Sequence, residues 1–205
     1  MRFTRPRHSG VRLTMQIDRI IYPISSLGPG DRLVIWTVGC DRRCAGCANP
    51  ELWAWNTDKN VDVYDFIRQI ETATNGQSVD GVTITGGDPL LQADELCVLL
   101  QGLRNITNDV LLFTGYTLKE AETAIPARTW AIIRKYVSVL IDGPYIEAMN
   151  DNTCALRGSA NQNVIFFDES KRALYNEYTN KGREIQNVFY NNRMISVGIH
   201  NREHI

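Results

Sequence analysis

An alternation constrains this chain more than any other feature. Four short runs of apolar β-formers each pass straight into a loop of Gly, Cys, Asp, Thr or Pro, and helical spacing follows three of them. Arg32 to Val38 leads into a cysteine loop, then to Val63, Phe66, Ile67 and Ile70, spaced as one helix face. Val79 to Thr85 ends in Gly86-Gly87-Asp88-Pro89, ahead of Leu96, Leu99, Leu100 and Leu103 at the same spacing. Val110 to Phe113 ends in Thr114-Gly115-Tyr116, and a single helical stretch is predicted from about Leu118 to Tyr136. Val137 to Ile141 ends in Asp142-Gly143-Pro144, and a fifth strand is predicted over Asn163 to Phe167. Strand, loop and helix in repetition predict parallel strands with helices outside them. The pairs are too few for an eightfold ring, so the expected fold class is α/β, a partial (open) βα barrel. Ligands of such folds gather at the carboxyl ends of the strands, where the loops share one rim. The four loops therefore predict one shared site.

The ends of the chain read differently. Residues 1–16 carry Arg2, Arg5, Arg7, His8 and Arg12 with no acidic residue, while Pro6 and Gly10 spoil an amphipathic helix. They are expected to be a flexible basic leader to a core over residues 17–167. Beyond Phe167, the charged stretch Asp168 to Lys181 reads as a helix. Val188-Phe189-Tyr190 and Met194 to Ile199 flank Asn191-Asn192, a two-residue hairpin turn, because asparagine tolerates positive φ. Ile195, Val197 and Ile199 alternate with Ser196 and Gly198, as one buried face requires. Residues 168–205 are thus expected to be a helix and β-hairpin extension packed on the core, and their removal is expected to spare the core chemistry. Charges nearly cancel, 22 basic against 23 acidic, which leaves no excess to attract nucleic acid. The apolar runs are too short to cross a bilayer. A cytoplasmic protein with neither nucleic-acid nor membrane partners is expected.

Cys40, Cys44 and Cys47 place three of the five cysteines within eight residues, too close to be natural disulfide partners for one another. In an untargeted chain they point to a reducing compartment and to metal ligation. Thiolates at this spacing can hold three corners of a cubane iron-sulfur cluster and leave the fourth iron open. Gly39 and Gly46 permit the close backbone wrap that such a loop needs. A zinc site completed by Cys97, Cys154, His8 or His200 is an alternative, although zinc modules usually offer ligands in two pairs. An electron-transfer cluster is another, although such proteins usually carry a fourth local cysteine. Cys97 lies in the leucine-rich helix and reads most simply as a small buried hydrophobe.

Six segments together resemble the radical S-adenosylmethionine superfamily, whose signature is CxxxCxxC, and most closely its activating enzymes for anaerobic (class III) ribonucleotide reductases. They are Leu27 to Gly30, Gly39 to Trp53 (GCDRRCAGCANPELW), Thr85 to Leu90 (TGGDPL), Thr114 to Tyr116, Val139 to Gly143 (VLIDG) and Leu156 to Gln162 (LRGSANQ). The resemblance implies a radical-SAM-type partial barrel, and a 4Fe-4S cluster on Cys40, Cys44 and Cys47 whose open iron chelates S-adenosylmethionine. It implies cofactor-binding roles for Gly86, Gly87, Asp88 and Pro89 at the methionine ammonium, and for Thr114, Asp142, Ser159 and Asn161 around the rest of the cosubstrate. The implied activity is reductive cleavage to a 5′-deoxyadenosyl radical, which makes a glycyl radical on a partner such as anaerobic ribonucleotide reductase. A flavodoxin- or ferredoxin-type electron donor is implied as well. An enzyme of the same scaffold acting on a peptide or small molecule, with the C-terminal hairpin at its substrate site, is the alternative within the superfamily.

Overall fold

The computed structural model describes residues 12–201. Its frame is a seven-stranded mixed sheet in the order β3-β1-β2-β4-β5-β6-β7. β1 is Thr14–Ile24, β2 Arg32–Thr37, β3 Asn60–Asp62, β4 Gly81–Gly86, β5 Val110–Phe113, β6 Val139–Asp142 and β7 Asn163–Phe166. β2, β4, β5 and β6 run parallel, in a register that sets Thr37 beside Gly86 and Phe113 beside Ile141. Their carboxyl ends therefore share one rim. The edges β3 and β7 are not joined, so the sheet is open.

Three helices, α1 (Val63–Ala73), α2 (Ala93–Leu103) and α4 (Ala127–Tyr136), cover one face of the sheet. Phe66, Ile67 and Ile70 of α1, Leu96, Leu99 and Leu100 of α2 and Ile133 of α4 pack with Leu33, Ile35, Ile84, Leu112 and Leu140. The intervening strand residues point the other way and are buried as well. Val34 and Trp36 pack with Leu27, Leu52 and Val197, while Leu111, Val139 and Ile141 pack with Leu156, Tyr175 and Tyr178. Burial on both faces explains why these strands are nearly continuous apolar runs in the sequence.

The second face is covered largely by the C-terminal stretch. It forms α5 (Arg172–Thr179) and the hairpin β8 (Ile185–Tyr190) and β9 (Arg193–Gly198), in which Asn191 and Asn192 both take positive φ, 48° and 60°. Tyr175 is fully buried and Val197 is 4% exposed, so this stretch is a layer of the fold.

Three features differ from the expectation. Strand β1 begins at Thr14, and Thr14, Met15 and Gln16 pair with Asp62, Val61 and Asn60, so the expected leader ends before them. Residues 1–11 lie outside the described residues. The stretch Leu118 to Tyr136 forms two helices, α3 (Leu118–Ala124) and α4, because Pro126 lacks an N–H and drives Ile125 to extended ψ, 134°. Strand β7 runs antiparallel to β6. A parallel return needs a crossover, and between β6 and β7 the chain forms only a single 3-10 turn, Glu147–Met149.

Candidate metal centre

After Thr37 the chain enters the cysteine loop, whose shape is set by groups outside it. Val38 N–H donates to Gln16 O (3.0 Å), Gly39 N–H to Leu52 O (2.8 Å) and Cys40 N–H to Trp53 O (3.0 Å). Buried Gln92 ties the loop to β1: its Nε2 donates to Val38 O (3.1 Å) and Gln16 O (3.2 Å), and its Oε1 accepts from Gln16 N–H (2.6 Å). Cys40, Cys44 and Cys47 are free, half-buried thiols that line one cavity of about 460 Å3. Burial pushes the Cys40 thiol above its ordinary value, and the N–H groups of Arg42 and Arg43 offset only part of that rise. At Cys47 the N–H of Asn49 donates to Sγ (3.4 Å).

Arg42, inside the loop, clamps it to the next wall. Its guanidinium lies 4.4 Å from the centre of the Tyr116 ring and donates to both carboxylate oxygens of Glu120, at 3.2 and 2.9 Å. Glu120 also closes the capping box of α3 with Thr117. Arg42→Ala is expected to leave the melting temperature near wild type and to speed iron loss to a chelator several-fold, read by the decay of cluster absorption.

Opposite the cysteines, β4 ends in the Gly86-Gly87-Asp88-Pro89 turn. Gly87 N–H donates to Thr37 O (2.8 Å) and Asp88 N–H to Gly39 O (2.7 Å), so backbone alone docks the turn on the end of β2 and the start of the cysteine loop. A Cβ on Gly87 would collide with the Gly39 carbonyl oxygen, and Gly86 sits at φ +110°. With those N–H groups engaged, the turn can offer an ammonium group its carbonyl oxygens. Asp88, 1% exposed, turns inward: Oδ1 accepts from Thr114 Oγ1 (2.8 Å) and Leu90 N–H (3.1 Å), and Oδ2 accepts from Gly115 N–H (2.9 Å). Burial pushes its carboxyl up to about 6 against the pull of these donors.

Among the residues expected at the site, Gly86, Gly87 and Thr114 line the cavity with the three cysteines. Asp88, Pro89, Asp142, Ser159 and Asn161 stand behind that lining. Asp142 accepts from Leu118 N–H (2.7 Å) and from Asn163 N–H and Nδ2 (3.1 and 2.8 Å). Ser159 Oγ accepts from Ile146 N–H (3.1 Å), and Asn161 Nδ2 donates to Pro144 O (2.8 Å). The Leu156 to Gln162 segment reaches the cavity through Gly158 and Gln162 instead. Further lining comes from Arg19 and Trp36, from Tyr145, Glu147 and Asn150, and from Ile195 through Asn201. Of these, only the alternation of Ile195, Val197 and Ile199 left a signal in the sequence.

The zinc alternative loses its two cysteine candidates for a fourth ligand. Cys97 is buried in α2, where burial pushes its thiol up to about 11 and its Sγ donates to Thr129 O (3.4 Å). Cys154 borders a separate depression. His8 lies outside the described residues, and His200 lines the cavity. Among the described residues no group of three or more His, Cys, Asp or Glu side chains is placed to hold a metal ion between them.

Residues 26–165 match the family described as "4Fe-4S single cluster domain". The anaerobic ribonucleoside-triphosphate reductase-activating protein of Vibrio cholerae is 31% identical over 153 residues, 69% of this chain and 92% of that protein. The chain belongs to this 4Fe-4S family. The protein of the same name from Enterobacteria phage T4 is 31% identical over 157 residues, 73% of this chain and 93% of its own. Among solved structures, QueE from Escherichia coli overlays 54% of this chain and 58% of its own with a TM-score of 0.43 at 19% identity. In this 4Fe-4S family member the matched region holds the cysteine loop and the glycine turn, and it ends just before α5 and the hairpin. Three free thiols on one externally braced loop, with N–H groups at two of the sulfurs, fit an iron-sulfur cluster. Among the described residues no helix is long and apolar enough to cross a membrane.

Proposed function

We propose that this chain is a radical S-adenosylmethionine enzyme that generates a glycyl radical on a partner such as an anaerobic ribonucleotide reductase. One observation carries the reading: three free thiols and a glycine turn meet across one cavity, and two backbone hydrogen bonds lock the turn to the end of β2 and to the cysteine loop. The bound cluster supplies the electron for reductive cleavage of the sulfonium. Cys40, Cys44 and Cys47 would hold it, and three ligands leave one iron to the amino and carboxylate groups of S-adenosylmethionine. Gly86 and Gly87 present carbonyl oxygens to the ammonium, and Thr114 borders the same space. Asp88, Pro89, Asp142, Ser159 and Asn161 shape these loops from behind, Asp88 by holding Thr114 and Gly115 against the turn. Orientation and exclusion of water are the protein's share of such chemistry. The open sheet serves as the partial barrel, with the cysteine rim as the face that a partner's glycine loop must reach. A flavodoxin- or ferredoxin-type donor and a cytoplasmic location complete the reading.

The test is anaerobic reconstitution with iron and sulfide, followed by reduction with S-adenosylmethionine present. Formation of 5′-deoxyadenosine is expected, and a glycyl doublet in electron paramagnetic resonance when an anaerobic reductase from the same cells is added. Absence of 5′-deoxyadenosine from cluster-loaded protein would refute the enzyme reading. Its presence without a doublet would refute the choice of partner.

A further inference from the structure

Seven successive residues, Ile195 to Asn201, line the cavity that also holds the three cysteines, yet they lie outside the matched region 26–165. They form one wall of that cavity.

The wall is tied down at several points. Val197 is buried against Leu27, Trp36 and Leu52, and Ser26 Oγ donates to Val197 O (2.7 Å). Gln186 of β8 accepts from Ser25 N–H (2.9 Å) and donates to Pro23 O (3.0 Å). The firmest tie is Arg183, just ahead of β8. Its Nε donates to Cys154 O (3.1 Å) and its Nη2 to Arg157 O (2.8 Å) and Gly158 O (3.3 Å). Its Nη1 donates to Asn150 Oδ1 (2.8 Å), Asn152 Oδ1 (3.2 Å) and His200 O (2.9 Å). Asn150, Gly158 and His200 belong to three separate segments of the cavity lining, and one guanidinium placed behind them holds all three. Every one of these acceptors is a carbonyl or amide oxygen, so the bonds make a geometric brace rather than an ion pair. The five N–H donors of arginine's planar fork reach these six acceptors with one N–H of Nη1 shared between two; a lysine ammonium has three donors on one atom.

The floor beside the wall decides what it faces. Trp36, packed in one cluster with Val197, is the register partner of Thr85, and Thr85 immediately precedes the glycine turn. The cavity, about 460 Å3, has room for one molecule of cofactor size, and this floor offers a ligand chelated at the cysteine end a surface for its remaining length. The side chains there are mostly apolar, Trp36, Phe113, Ile195, Val197 and Ile199, with the Arg19 guanidinium 4.9 Å from the centre of the Trp36 ring, a lining suited to a flat heterocycle.

Resting on the function proposed above, we propose that the segment Ile195 to Asn201 is a binding wall for the nucleoside end of S-adenosylmethionine, and that Arg183 is the positioning residue that fixes it. The experiment uses the full-length, cluster-loaded protein and four forms: wild type, Arg183→Ala, Arg183→Lys and Ile199→Ala. Equilibrium dissociation constants are measured anaerobically for S-adenosylmethionine, S-adenosylhomocysteine and methionine, alongside KM and kcat for 5′-deoxyadenosine formation. Arg183→Ala is expected to weaken both nucleoside ligands by about tenfold, the loss of about 1.4 kcal/mol of binding. Iron content and methionine binding should stay near wild type, and KM should rise more than kcat falls. Arg183→Lys should fall between, and Ile199→Ala should weaken the same two ligands in a protein that still melts cooperatively, at a somewhat lower temperature because Ile199 packs on the Trp36 cluster. If wild type binds S-adenosylmethionine and folded Arg183→Ala and Ile199→Ala bind it equally well, the wall is overturned while the enzyme reading stands. If Arg183→Ala does not fold, Ile199→Ala decides alone. Wild type that binds no S-adenosylmethionine overturns both.

Discussion

Replacing any one of Cys40, Cys44 and Cys47 with alanine is expected to abolish the visible absorption of the reconstituted cluster and all cluster-dependent formation of 5′-deoxyadenosine, whereas Cys97→Ala keeps both. The asymmetry follows from position. Each of the three loop thiols lines the cavity, on a segment whose backbone is pinned at Val38, Gly39 and Cys40 by residues outside the loop. The loop therefore cannot slide to bring a substitute sulfur into place. The other cysteines are held elsewhere, Cys97 in the helix layer on the far face of the sheet and Cys154 beside a separate depression. Cys97→Ala removes one small buried group and a long hydrogen bond to Thr129 O, a cost of about 1 kcal/mol by the usual scale of single substitutions. Iron analysis and absorption spectra, with circular dichroism as the check on folding, decide the matter. A folded Cys97→Ala protein that cannot hold iron would make Cys97 a ligand and discard the three-thiol assignment.

What could be read in the sequence was what is local. β2, β4, β5 and β6 are short apolar runs buried on both faces, and each ends at a loop whose special residues are contiguous, so strand, rim and cysteine loop were legible together. β1 was not, because Asp18, Arg19 and Pro23 interrupt its apolar pattern; Asp18 and Arg19 pair with each other, and Lys59 with Asp18, once β3 and the loop before it arrive. The direction of β7 is set by a connection that lacks a crossover helix, and a loop of mixed composition carries no mark of that. At the site, the glycine turn was legible because its constraint is on its own backbone. Gln92, the Arg42–Glu120 clamp and Arg183 were not, because each works through partners far along the chain: Gln92 to Gln16, Arg42 to Glu120, Arg183 to Asn150 and His200. A single glutamine or arginine in a polar stretch looks like solvated surface until the fold brings its acceptors together.

The second large effect concerns stability. Arg32 is fully buried at the start of β2, and all five of its N–H groups are used. Nε donates to Thr83 Oγ1 (2.8 Å), Nη1 to Pro29 O and Asp109 Oδ2 (both 3.1 Å), and Nη2 to Val82 O (2.9 Å) and Asp109 O (3.2 Å). The Asp109 carboxylate, itself 2% exposed, also accepts from the Tyr175 hydroxyl (2.8 Å), and burial holds that hydroxyl well above its ordinary pKa. The triad thus joins β2, the entry to β5 and α5, and it pins the C-terminal layer to the sheet. Asp109→Ala would strand a buried guanidinium and is expected to cost about 3 to 5 kcal/mol, a large part of the stability of an ordinary domain. At roughly 2–4 °C per kcal/mol for a chain of this size, the melting temperature should fall by about 6 to 20 °C in a thermal denaturation followed by circular dichroism. The double variant Arg32→Met/Asp109→Leu should recover part of that loss, since no charge is then left buried, although Thr83, Tyr175 and the carbonyls of Pro29, Val82 and residue 109 lose a partner. Deleting residues 168–205 removes Tyr175 and uncovers Leu111, Val139, Ile141 and Leu156, so the truncated chain is expected to be insoluble or molten rather than a working core. A soluble truncated protein with a cooperative melt, or an Asp109→Ala protein as stable as wild type, would show that the C-terminal layer is carried by the sheet without holding it together.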